Sequence, residues 1–200
     1  MSTARSILLE IKRRLGDVNA AVPGETDLMA ALNRALRGIW NHGARLRSQR
    51  LRKNERFTSA VDNTVEIDDG ALHILGVYDH ETGRRIFPLR SSSAFLRAAV
   101  EGLETGFVMS GRSITVYPDT GNIDVTVCYI PEFTPLTDRG DDLPFPPMLD
   151  DITVEWTVAL LRGKRDSVSD VEPALLPHGN TLSDYFRGPI PRMPTGRGPW

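Results

Sequence analysis

The chain contains a single cysteine, Cys128, so no internal disulfide is possible and burial must do the stabilising. No apolar run approaches the roughly 20 residues that a membrane-spanning helix needs, and the first residues carry no signal-peptide pattern. Also missing are a G-x-G-x-x-G after a strand, a P-loop, an H-E-x-x-H pair and any Cys/His metal spacing. The four histidines, His42, His73, His80 and His178, fall on separate elements with no spacing that would make them converge; His42 reads as a helix-surface residue. Cys128 sits in the alternating run VTVCYI and reads as a small strand residue, not a catalytic thiol. With no recognisable nucleophile or phosphate loop, the expectation is a non-enzymatic protein without metal or cofactor.

What the chain does have is ordinary globular composition with an uneven charge. Hydrophobic residues make up 40% of its 200 positions and the formal net charge is −2, which excludes the highly charged disordered class. Residues 1–56 nevertheless carry 12 Lys/Arg against 5 Asp/Glu, so the remainder is acidic. Such asymmetry points to a partner surface or to nucleic acid. The densest stretch is ARLRSQRLRKNER, with Arg45, Arg47, Arg50, Arg52 and Lys53. These cations do not share one helical face, and no aromatics alternate with them for base stacking. They read as a solvated helix end or as a contact with an acidic patch on a neighbouring subunit, ahead of a phosphate grip.

The periodicity changes twice along the chain. TARSILLEIKRRLGD places Leu8, Ile11 and Leu15 on one helical face, with Thr3 as N-cap and Gly16-Asp17 as the stop. After the turn at Pro23-Gly24, a second helix capped by Thr26 carries the stripe Leu28, Leu32, Ala35, Leu36, Ile39, Gly43 and Leu46, and is expected to run to about residue 52. From Phe57 the period is two: FTSAVDNTVEI alternates up to a turn at Asp68-Asp69-Gly70. ALHILGVYD and IFPLR form a hairpin through HETGRR, and SSSAFLRAAVEGLE is a short surface helix. FVMSGRSITVYP and NIDVTVCYIP are then expected as two strands joined at Asp119-Thr120-Gly121. Met148, Ile152, Trp156, Ala159 and Leu160 return to helical spacing. A further stripe, Val171, Leu175, Leu182 and Phe186, is interrupted by Pro177 and Gly179, so a kinked or broken helix is expected.

The expected class is therefore α+β: a small helical bundle from 1–56 and 144–187, an inserted antiparallel β unit over 57–135, and an extended tail over 188–200. The tail, RGPIPRMPTGRGPW together with the end of the preceding helix, offers Tyr185, Phe186, Arg187, Ile190, Pro191, Met193 and Trp200 as anchors for a partner. Between β unit and last helix lies YIPEFTPLTDRGDDLPFPPMLDD, with five prolines. Asp138, Asp141 and Asp142 imitate part of a calcium loop but lack the glycine and closing glutamate at the required positions. A shaped hinge of turn-forming aspartates, ended by Asp150 and Asp151 in a helical first turn, is the better reading.

In order of elements the chain resembles the head-to-tail adaptor (connector) proteins of tailed bacteriophages, the group of podoviral tail tubular protein A. The resemblance is carried by LLEIKRRLGD, DLMAALNRALRGIW, GRSITVYPDTGNIDVTVCYIPEFTPLTDRGDDLPFP and MLDDITVEWTVALLRGKRDS, covering most of residues 6–167. It implies a structural protein of the virion neck, present in the host cytoplasm during assembly and forming a ring, typically of twelve copies, beneath the portal protein. Such a ring extends a channel through which genomic DNA passes, presents a platform to the next tail or nozzle protein, and touches no membrane. It also implies a helical ring body, a β unit on the tail side and a C-terminal segment reaching the portal. The alternative is a nucleic-acid-binding module using the basic second helix.

Overall fold

The computed structural model describes residues 2–16, 23–59, 63–67, 70–89, 105–117, 123–163 and 179–188. Among them are four α-helices: α1 (Ala4–Gly16), α2 (Glu25–Arg45), α3 (Asp150–Gly163) and α4 (Gly179–Arg187). Seven strands follow one another as β1 (Lys53–Ser59), β2 (Thr64–Glu66), β3 (Ala71–Asp79), β4 (Arg85–Pro88), β5 (Gly106–Ser110), β6 (Ser113–Tyr117) and β7 (Ile123–Pro131). The chain divides into two compact units, Arg50–Glu132, and Met1–Gln49 with Phe133–Trp200. The expected helix over 91–104, the turn at Asp119-Thr120-Gly121, the stripe residues Val171 and Leu175, Pro177, and the tail beyond Gly188 lie outside the described residues.

The expected class, a small helical bundle with a small inserted antiparallel unit, is overturned by the sheet. It is a seven-stranded mixed sheet in the order β1-β7-β3-β4-β5-β6-β2, and its edges β1 and β2 approach so that it nearly closes into a barrel. One pair, β4 with β5, is parallel. Local alternation states that a segment is a strand, but carries nothing about its partner, and this is where the expectation failed. FVMSGRSITVYP is two strands, because Gly111 at φ +61° turns the chain between β5 and β6. The next strand, β7, does not pair with β6; it lies between β1 and β3. The run FTSAVDNTVEI likewise supplies β1 and β2 at opposite edges of the sheet.

The β3–β4 hairpin follows its turn residues. Asp79 Oδ1 accepts the Thr82 backbone N–H and hydroxyl, both at 2.6 Å, and Gly83 takes φ +66°. Inside the sheet, Ile123, Val125, Val127 and Tyr129 alternate inward along β7 against Ile67, Val77 and Ile114. Tyr129 is fully buried, and its hydroxyl donates to Glu55 at 2.6 Å. Cys128 is buried on β7 as a free thiol, and burial pushes its pKa up.

In the helical unit α3 is wrapped by neighbours. Ile152, Thr153, Val154, Trp156, Thr157, Val158 and Leu160 are all buried. Thr153 and Thr157 satisfy their hydroxyls on the carbonyls four residues back, at 2.9 and 2.7 Å, which lets two polar residues sit there without an unmet group. On α2 the stripe Leu28, Leu32, Leu36 and Ile39 is completely buried, worth about 1.5–3 kcal/mol for each side chain. Two glycines on this helix allow close approach: a Cβ on Gly38 would strike the Trp156 ring, and one on Gly43 would strike Phe186. The N-cap of α2 is Gly24, not Thr26, and Glu25 and Asp27 supply negative charge in its first turn. The helix ends at Arg45, well short of residue 52. Arg47 adopts φ +50°, its N–H bonds the Ala44 carbonyl at 2.9 Å, and Ser48 N–H bonds that of Gly43 at 3.0 Å, which is a Schellman ending.

Candidate functional site

The proline-rich connector, from Phe133 to Leu149, is built into the helical unit rather than strung between elements. Phe133, Leu143, Phe145 and Leu149 are buried, and Trp40 of α2 lies 6.1 Å from the rings of both Phe133 and Phe145. Prolines set the extended entry, and Pro147 begins the short 3-10 turn Pro147–Leu149 that leads into α3. Asp141 organises the loop between: its Oδ2 accepts the backbone N–H groups of Thr137 and Asp138, each at 2.8 Å. Those bonds hold its carboxyl below the usual range. Asp138 in turn accepts the Gly140 N–H at 2.8 Å.

Two further sets of bonds tie this loop to helices. Asn33 of α2 donates from Nδ2 to the Leu136 carbonyl at 2.9 Å and accepts the Leu136 N–H at 2.8 Å, so one amide clamps both polar groups of a single residue. At the start of α1, the N–H groups of Ala4 and Arg5 bond the carbonyls of Asp141 and Arg139, both at 2.9 Å. Leu143 N–H reaches back to the Ser2 carbonyl at 2.9 Å, and Thr3 bridges Asp142. The first amides of a helix have no intrahelical partner, and here the connector supplies it. Thr3 itself adds a long cap bond of 3.4 Å to Ser6 N–H.

The remaining sequence-derived candidates scatter. Arg45 closes α2 and Arg47 forms its left-handed ending, whereas Arg50, Arg52 and Lys53 belong to the β unit, Arg50 in the 3-10 turn Gln49–Leu51, Lys53 at the start of β1 and Arg52 between them. Arg52 bonds Asn54 at 3.1 Å and Lys53 pairs with Glu55 at 3.2 Å. The expected single basic helix end is thus replaced by residues on four short pieces of backbone. Of the tail anchors, Tyr185, Phe186 and Arg187 lie on α4, while Ile190, Pro191, Met193 and Trp200 lie outside the described residues. Phe186 is 3% exposed, packed over Gly43 and edge-on to Phe145 at 6.0 Å, and Ser48 donates to its carbonyl at 2.8 Å. A side chain used this way belongs to the core and is not available to reach a partner. Tyr185 is half-buried and Arg187 exposed.

His42 on α2 lies tilted against the Phe186 ring at 6.3 Å, His73 is exposed on β3, and His80 bonds Thr126 at 2.9 Å beside the β3–β4 turn; His178 is outside the described residues. Among the described residues no three His, Cys, Asp or Glu side chains gather to hold a metal ion, and Asp138 and Asp141 are engaged with backbone N–H groups. Sequence reasoning missed Asn33. Its one signal was a poor helix former set inside the strong α2 pattern, within LNRALR. Compared with known proteins, the chain matches no family model and no curated protein.

Proposed function

We propose that this chain is a structural, non-enzymatic adaptor of a phage neck, a ring subunit that joins a portal protein to the next tail or nozzle component around a DNA channel. The observation that carries the reading is the Asn33–Leu136 clamp. Two of the four stretches that carry the adaptor resemblance, DLMAALNRALRGIW and the one ending in TPLTDRGDDLPFP, meet there through a pair of hydrogen bonds across 103 residues of chain. The resemblance thus falls on residues that act together: an asparagine on one helix, a proline-rich belt, and the aspartates that shape it.

A ring of about twelve copies needs subunits whose repeated contacts keep one geometry, and a braced connector supplies stiffness that a free linker lacks. The portal contact is assigned to Tyr185, Arg187 and the residues that follow, without Phe186. The role places the protein at the head–tail junction of the virion, with DNA sliding past and not bound by sequence. The nucleic-acid-binding alternative gains nothing from basic residues divided between separate elements.

The test is co-sedimentation with the portal ring encoded by the same genome, using the full chain and a chain ended after Arg187. Binding by the first and loss in the second is expected. Absence of binding by both would remove the adaptor role, and a steep fall of log DNA affinity with log salt would then favour the alternative.

A further inference from the structure

The two flanks of α1 differ in chemistry. On one, Arg5, Leu9 and Lys12 recur at helical spacing, and with Leu8, Leu28, Glu25 and Arg139 they line a cleft of about 130 Å³. Leu8 and Leu28 make its apolar floor, Leu9 stands 61% exposed at its edge, and Arg139 is paired with Glu25. Arg5 and Lys12 form no ion pair among the described residues. The space is comparable with the roughly 150 Å³ apolar cavity that accepts a benzene. It therefore suits one long aliphatic side chain, carried on a segment with negative charge beside it.

The opposite flank of α1 holds Glu10 and Arg14. Arg14 reaches Asp151 at 3.1 Å and Glu155 at 3.7 Å, so the first turns of α3 lie on that side. Asp151 and Glu155 lie there, and Met148 sits just ahead of them in the 3-10 turn Pro147–Leu149, at intervals of three and four, giving a stripe of one methionine and two carboxylates. All three are exposed: Met148 at 60%, and the side chains of Asp151 and Glu155 at 85% and 49%. Each stripe covers seven residue steps, about 10 Å at helical rise.

The geometry points to contact between copies of this chain, with Met148 of one copy seated in the Leu8–Leu9–Leu28 cleft of the next and Asp151 and Glu155 facing Arg5 and Lys12. The occupant is a second copy because this chain itself exposes the complementary stripe, apolar knob against apolar floor and carboxylates against cations. The two patches lie on different flanks of α1, so the contact is heterologous and leaves each copy one vacant patch of each kind. Methionine fits such a role, being long, unbranched and adaptable to an irregular cleft. The contact stands on the two stripes; its closure into a ring rests on the adaptor reading.

The experiment mixes the full-length Leu9→Cys protein with the full-length Met148→Cys protein and oxidises them. No intramolecular bond can join the two new thiols, and native Cys128 is buried. A mixed dimer is expected at least about tenfold above that from Leu9→Cys with Met109→Cys, an exposed control position on β5, because docking raises the local thiol concentration. Adding Lys12→Glu to the first partner should remove the excess, and Glu155→Lys in the second should restore it. Yields equal to the control overturn the contact, including the case where the cleft serves an acidic segment of another protein. Cross-linking with no portal co-sedimentation keeps this contact and removes the adaptor role; portal binding without cross-linking overturns the contact alone.

Discussion

Asn33 occupies a place in α2 where its own helix propensity is poor, and it is kept there by two bonds to one residue of the connector. Replacing it with alanine improves the helix locally but leaves an N–H and a carbonyl of Leu136 without their partner. For a half-buried site we expect Asn33→Ala to cost about 1–2 kcal/mol. A lower urea midpoint with an unchanged slope would show it, and an unchanged midpoint would contradict the clamp. Tyr129 offers a second test at this scale. Burial first, and then the bond to Glu55, push its phenol up to about 12. The folded value exceeds the ordinary value of 10, so the neutral phenol contributes stability that is complete below pH 10 and is lost as pH rises through about 12. The thermal midpoint should therefore fall more steeply across that window in the native protein than in Tyr129→Phe. Equal slopes would sink the idea.

At the scale of elements, the end of α2 decides more than its length. Arg47 takes the left-handed position that glycine usually fills in a Schellman ending, and a side chain there costs about 1–2 kcal/mol. Arg47→Gly should return part of that, about 1 kcal/mol after the greater entropy of the unfolded glycine chain is counted, read as a higher thermal midpoint. Loss of stability instead would mean that the Arg47 side chain supports the ending. The connector shows the same logic in another form. Its aspartates and prolines announced turns, and the reading of a shaped hinge over a calcium loop came from that turn chemistry. That its carbonyls would cap α1, more than 130 residues earlier, was written nowhere in its local pattern. In α3, Thr153 and Thr157 are poor helix formers by residue type, and burial against α1 and α2 makes them core residues.

For the whole molecule, two units with separate cores share one chain, the β unit entering after Gln49 and leaving at Glu132. The division bears on how truncations are read. A chain ended after Arg187 keeps Leu182 and Phe186 in the core, so its midpoint should match that of the full protein within about 0.5 kcal/mol. A chain ended before Gly179 removes both, and the loss of Phe186 alone should cost about 3–5 kcal/mol. Calorimetry of the two truncations separates a tail effect on portal binding from simple unfolding. A destabilised first truncation would show that residues past Arg187 hold the fold as well.

From its residues alone the chain determined the apolar faces of α1 and α2, the β3–β4 turn at Asp79–Gly83, and the absence of an internal disulfide. Each depends on neighbours within a few positions: helical spacing, a turn side chain, a count of one. Tertiary structure alone decided that β7 lies between β1 and β3, that β4 and β5 run parallel, and that the sheet nearly closes. It alone placed Phe186 over Gly43 and brought Asn33 to Leu136. The physical reason is that alternation makes a segment a strand, or spacing a helix, whatever lies opposite. The choice of partner is settled by burial and backbone hydrogen bonds between residues far apart in the chain, which no local pattern contains.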